Sequence, residues 1–133
     1  MTRPTVTIPT PNALTRLREH LATQLPALQA IPGVVGITLN GGLSRGYGDY
    51  LSEIDLTLFL GPQTYAAWQQ GQAPLTLGIA VRAGQLYDIK TLDIAAETAK
   101  EWSQLERWDA SYAQVLDDPD GRIAALLAAK IGD

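Results

Sequence analysis

The sequence predicts a single α/β domain of the α+β kind: a small mixed β-sheet with helices packed mainly on one face. Three observations predict it. Two apolar runs, residues 34–39 and Ile54–Leu60, are bounded by glycine and have the length of buried strands. Two later runs, about 76–82 and 85–92, are joined only by Ala83-Gly84, the joint of an antiparallel hairpin. Helical periodicity brackets the strands, and the order α-β-loop-β-α-β-β-α-α suits a mixed sheet with helices on one side. At 133 residues, the whole of 1–133 makes one domain.

Each element has its own signal. Residues 1–11 are rich in Thr and Pro and read as extended. Leu14, Leu17, Leu21, Leu25 and Leu28 then recur at three- and four-residue intervals, the apolar stripe of a helix that Pro26 should end or kink. Ile31-Pro32-Gly33 is a turn into the first strand. Gly61-Pro62 stops the second strand, and Pro62 suits the first turn of a short helix through Trp68. A polar connection over 69–74 leads to the hairpin. From Ile94 the pattern is helical over 94–116, with a break near Arg107, and again over 119–131. Asp118-Pro119 combines an N-cap with a first-turn proline at the start of that last helix. Trp102, Trp108 and Tyr112 read as core on helical context, and His20 as an exposed or boundary residue of the first helix.

Composition narrows the function. Hydrophobic content of 46% and charged content of 18% are those of a folded chain. A net charge of −4 and a pI near 4.8 argue against broad nucleic-acid binding, which needs a basic footprint. A nucleotide is still admissible, since a bound cation with a few local basic residues reverses the field inside a cleft. There is no cysteine and one histidine, so disulfides, thiolate sites and multi-histidine zinc sites are excluded. No stretch approaches the ~20 apolar residues of a membrane span. No apolar signal region follows Thr2-Arg3-Pro4, so the expectation is a cytoplasmic protein without a membrane partner.

The chemistry concentrates between Asn40 and Leu56. Gly41-Gly42 follows an apolar run, and Glu53 and Asp55 enter the second strand ten residues later at alternating positions. Residues i and i+2 of a strand share a face, so the two carboxylates project together, with Ile54, Leu56, Leu58 and Leu60 opposite. Adjacent carboxylates repel, and a fold keeps them together mainly to hold a cation. Magnesium is the usual one where phosphate is also bound. Glycines nearby let backbone N–H groups approach phosphate oxygens. Ser44 offers a hydroxyl to a phosphate. Arg45 either neutralises a phosphate or pairs with Asp49 or Asp55.

These residues resemble the nucleotidyltransferase superfamily, which includes the minimal nucleotidyltransferases and the aminoglycoside adenylyltransferases. Gly41-Gly42 is similar to its Gly-Gly or Gly-Ser element, and Ser44-Arg45-Gly46 to its small residue, Arg and Gly. Ser52-Glu53-Ile54-Asp55-Leu56 resembles its Ser-Asp-Ile-Asp-Leu. The match covers the middle third of the chain. Gly42 stands where many members have Ser, and Glu53 where the first metal carboxylate is usually Asp. The extra methylene moves that carboxylate by over an ångström.

The resemblance implies a nucleotidyltransferase-like fold and a third carboxylate on a neighbouring strand, acting as metal ligand or general base. Asp88 and Asp93 are the candidates. Asp88 lies inside a strand, where an unpaired carboxylate is costly to bury, whereas Asp93 reads as a helix N-cap; Asp88 is therefore the choice. Lys90, on the face of Asp88, serves either as its ion-pair partner or as a phosphate contact. The implied function is magnesium-dependent transfer of a nucleoside monophosphate, AMP from ATP, to a hydroxyl on a small molecule, protein or RNA. The metal ligands are Glu53, Asp55 and Asp88, and the nucleotide contacts Gly41, Gly42, Ser44 and Arg45. The competing reading is a decayed nucleotidyltransferase fold acting as an antitoxin-like or regulatory binding module. The apolar end of the last helix, Leu126-Leu127-Ala128-Ala129-Lys130-Ile131, adds the expectation of a protein partner there, or of the N-terminal part of a longer chain.

Overall fold

The computed structural model describes residues 10–44 and 53–132, with side chains for 14–42 and 53–132. The chain runs α1 (Thr10–Gln29), β1 (Val34–Asn40), a single turn α2 (Gly41–Ser44), β2 (Ile54–Leu60) and α3 (Pro62–Ala67), which widens into a turn over Trp68–Gln72. It continues with β3 (Gly78–Arg82), β4 (Gln85–Asp93), α4 (Ile94–Ala99), α5 (Gln104–Ser111), β5 (Gln114–Asp117) and α6 (Arg122–Ile131). The strands form one five-stranded mixed sheet in the order β3-β4-β2-β1-β5. β2 and β4 pair in parallel and the other three pairs are antiparallel, including the expected β3–β4 hairpin.

Alternation along the central strands divides the sheet into two unlike faces. Ile37, Leu39, Ile54, Leu56, Leu58, Leu60, Tyr87 and Ile89 are buried on the first face, beneath Leu17, Leu21 and Leu28 of α1 and Trp68. His20 ties α1 to the hairpin: its Nδ1 lies 2.7 Å from the Tyr87 hydroxyl and its Nε2 2.8 Å from the carbonyl oxygen of Ala83. That carbonyl can only accept, so Nε2 carries a proton, and in the neutral ring Nδ1 then accepts from Tyr87. Burial favours the uncharged phenol and pushes the Tyr87 hydroxyl up to about 12.

The second face is apolar at one end and polar at the other. At the apolar end Phe59 packs with Ile94, Trp102, Ile123 and Leu126. Gly36 makes this possible, since a Cβ there would lie 2.2 Å from Cγ1 of Ile123. Helices therefore cover both faces, which corrects the expectation that they pack mainly on one. The polar end, around Asn40, Asp55 and Asp88, lines a cleft.

Several boundaries also differ from expectation. α1 keeps a final turn beyond Pro26, because Leu28 is fully buried and holds that turn on the sheet. The stretch expected as helix over 94–116 is α4, then α5, then β5. Its break falls at Ser103, whose side chain and Glu106 form a reciprocal capping box that starts α5. β5 then pairs with β1. Trp108 and Tyr112, read as core, are 51% and 44% exposed and meet edge to face on the surface of α5. α6 starts at Arg122 rather than Pro119, with Asp118 accepting from the backbone N–H groups of Ile123 and Ala124 at 2.9 Å each. Among the described residues no helix is long and apolar enough to cross a membrane.

Candidate metal centre

β2 and β4 position the cluster. The parallel register sets Asp55 directly beside Asp88, and the antiparallel register of β1 sets Asn40 on the other side of Asp55. Glu53, immediately before β2 and two residues from Asp55, reaches the same point. One carboxylate oxygen from each of Glu53, Asp55 and Asp88 lies within 4.8 Å of the others. The longer side chain of Glu53 thus still delivers its carboxylate to the cluster. The three line a polar cleft of about 350 Å3, together with Asn40, Gly41, Lys90 and Asp109.

The electrostatics follow from the crowding. Two carboxylates at this separation repel by about 3 kcal/mol at an effective dielectric of about 20, less where water screens them. Asp55, at the centre, is pushed up to about 6. Partial burial is the largest cause, followed by the charge of Glu53, a hydrogen bond with Glu53 and the charge of Asp88; Lys90 opposes the rise. Lys90 lies 3.8 Å from Asp88 but is 69% exposed, so it neutralises little of the charge. Hard carboxylate oxygens, clustered and with little positive charge among the described residues to offset them, fit a divalent, oxygen-preferring cation.

Gly41 closes against the central carboxylate. Its φ of +68° is in the left-handed region, and a Cβ there would lie 1.9 Å from Oδ2 of Asp55. Backbone and carboxylate therefore touch only because this residue is glycine. Gly42, next in α2, is exposed. Arg45 lies outside the described residues, as does the side chain of Ser44. Asp93 stands apart as expected, capping α4 by accepting from Ala95 and Ala96 at 2.9 and 3.3 Å.

Sequence reasoning missed two residues of this cleft. Asn40 accepts from the hydroxyls of Thr38 and Thr57 at 2.9 and 3.0 Å, which fixes its amide at the cleft wall. Its signal was available: it directly precedes Gly41, at the polar end of an otherwise apolar strand. Asp109 faces the cluster from α5, and nothing local in the sequence marks it. No protein-family model matches this chain, and neither does any curated protein sequence.

Proposed function

We propose that this chain is a magnesium-dependent nucleotidyltransferase that moves a nucleoside monophosphate, AMP from ATP, to a hydroxyl group. The observation that carries the reading is the convergence of Glu53, Asp55 and Asp88, with the bare backbone of Gly41 against Asp55. The cation that these carboxylates would hold supplies positive charge for the triphosphate and for the oxygens of the α-phosphate as it is attacked. Glu53 and Asp55 fix its place from one strand and Asp88 from the next. Gly41 and Gly42 leave room for phosphate where a side chain would intrude, and Ser44 and Arg45 follow as its hydroxyl and guanidinium contacts. The acceptor oxygen forms the new bond to the α-phosphorus, and the bond from that phosphorus to the β-bridging oxygen breaks. Pyrophosphate leaves, and Asp88 takes the hydroxyl proton.

The binding-module reading requires a ligand set in which Glu53 has lost its role. The carboxylate of Glu53 lies with the other two, which favours a working site. Titration with a non-hydrolysable ATP analogue separates the readings: binding should be tighter with magnesium than with EDTA, and Asp55→Asn should remove most of that difference. Equal binding by wild type and Asp55→Asn would refute the site.

A further inference from the structure

A second cavity opens from the acidic cleft on the same face of the sheet. This recess of about 200 Å3 lies between α5 and the sheet and shares Asn40, Thr57 and Asp109 with the cleft. A molecule seated in it therefore meets the carboxylate cluster at its mouth. We propose that the recess holds the acceptor, and that the acceptor is a one-ring alcohol without negative charge, a phenol being the simplest form. The proposal rests on the transferase reading and names its substrate class.

Size, wall chemistry and charge each limit the occupant. Drug-sized ligands fill pockets of about 300–1,000 Å3, so this smaller space suits one ring and excludes a folded macromolecular surface. Phe59, Trp102, Leu92 and Leu127 give it aromatic and aliphatic walls. The indole Nε1–H of Trp102 is buried without a hydrogen-bond partner among the described residues.

Polar groups at the mouth fix the hydroxyl end. Asn40, held by Thr38 and Thr57, and Asp109 stand where the recess joins the cleft. The far end repels anions. Glu97, only 7% exposed, pairs with Lys100 at 3.2 Å, and the same lysine pairs with Glu106 at 2.9 Å. One ammonium is thus shared by two carboxylates, which leaves the far end with excess negative charge. In this orientation the ring hydroxyl attacks the α-phosphorus, pyrophosphate departs, and the proton passes to Asp88.

Three probes of one shape test the assignment: 4-ethylphenol, tyramine and 4-hydroxyphenylacetate, which differ in tail charge. Ligands of about nine to eleven heavy atoms bind in the millimolar range. Saturation-transfer NMR with the full chain should give saturable millimolar binding of the first two, and binding of the anion at least about ten-fold weaker. Ala110→Leu and Ala113→Leu, which fill the recess, should each weaken 4-ethylphenol binding about ten-fold while leaving magnesium-dependent nucleotide binding unchanged. Agreement of either correctly folded variant with this result supports the proposal. It is overturned if wild type binds neither uncharged nor cationic probe, if the anion binds equally well, or if both folded variants bind 4-ethylphenol like wild type. The phenol titration needs no nucleotide, so loss of the metal-site reading and loss of this one are separately visible.

Discussion

Asp55 and Asp88 are direct neighbours in the parallel β2–β4 ladder, although 33 positions separate them in the chain. Parallel pairing requires a crossover between the strands, and α3 with β3 fills it. The sheet thus places a carboxylate from each of two strands side by side on one face. Neither strand alone could hold a cation as the pair can with Glu53.

That crowding destabilises the protein when no cation is bound. The pKa of Asp55 in the folded protein, about 6, lies above its ordinary value of 3.8. A raised pKa means that the fold favours the protonated form. The stability linked to it is fully present below about pH 4 and is lost as pH rises through about 6. Asp55→Asn should therefore stabilise the metal-free protein at pH 7 by about 1 kcal/mol, after discounting for solvent screening, and by nearly nothing at pH 4. Urea melts at the two pH values in EDTA check this. Magnesium should reverse the order at pH 7 by stabilising wild type alone.

Gly41→Ala should disable the site. The left-handed φ costs about 1–2 kcal/mol for a residue with a Cβ, and the added methyl displaces the Asp55 carboxylate. We expect a stability loss of about that size and a fall in transfer rate of about 100-fold, since an ångström of misplacement can cost that much. Thermal melts and initial rates measure the two effects separately.

Glu53 distinguishes ligand from bystander. Glu53→Asp keeps the charge and should preserve or raise activity, while Glu53→Gln keeps the shape and should abolish it. Transfer rates at saturating magnesium make the comparison. Equal activity of both variants would remove Glu53 from the ligand set.

Asp88 and Asp93 should behave oppositely. Asp93→Ala removes the cap of α4 and should cost about 1 kcal/mol of stability with metal binding intact. Asp88→Asn should abolish metal-dependent nucleotide binding without loss of stability, because it relieves repulsion. Paired chemical melts and titrations read both residues.

Much of this arrangement was legible in the sequence because its signals are local. Alternation across Glu53, Ile54, Asp55 and Leu56 assigned the two faces of β2, and Ala83-Gly84 announced the hairpin. Asp93 could be set aside as a cap because it stands directly before a helical pattern. The rest depends on contacts between distant residues. β5 has four residues and gains its identity by pairing with β1, so the helical pattern around it masked it. The covering of the second face depends on Gly36 meeting Ile123, 87 positions away. Asp109 faces the cluster only because α5 folds back across the sheet. The break before α5 was readable after all, since Ser103-Gln104-Leu105-Glu106 is a capping-box sequence.

The central claim, nucleotidyl transfer at the three-carboxylate cluster, is tested most directly with ATP labelled at either the α- or the γ-phosphorus. The protein is incubated with magnesium and, in parallel, with 4-ethylphenol, cellular metabolites, total RNA and total protein. The account predicts that α label becomes attached to an acceptor, γ label leaves only as pyrophosphate, and Asp55→Asn transfers neither. Attachment of γ label, or α transfer undiminished in Asp55→Asn, would contradict it.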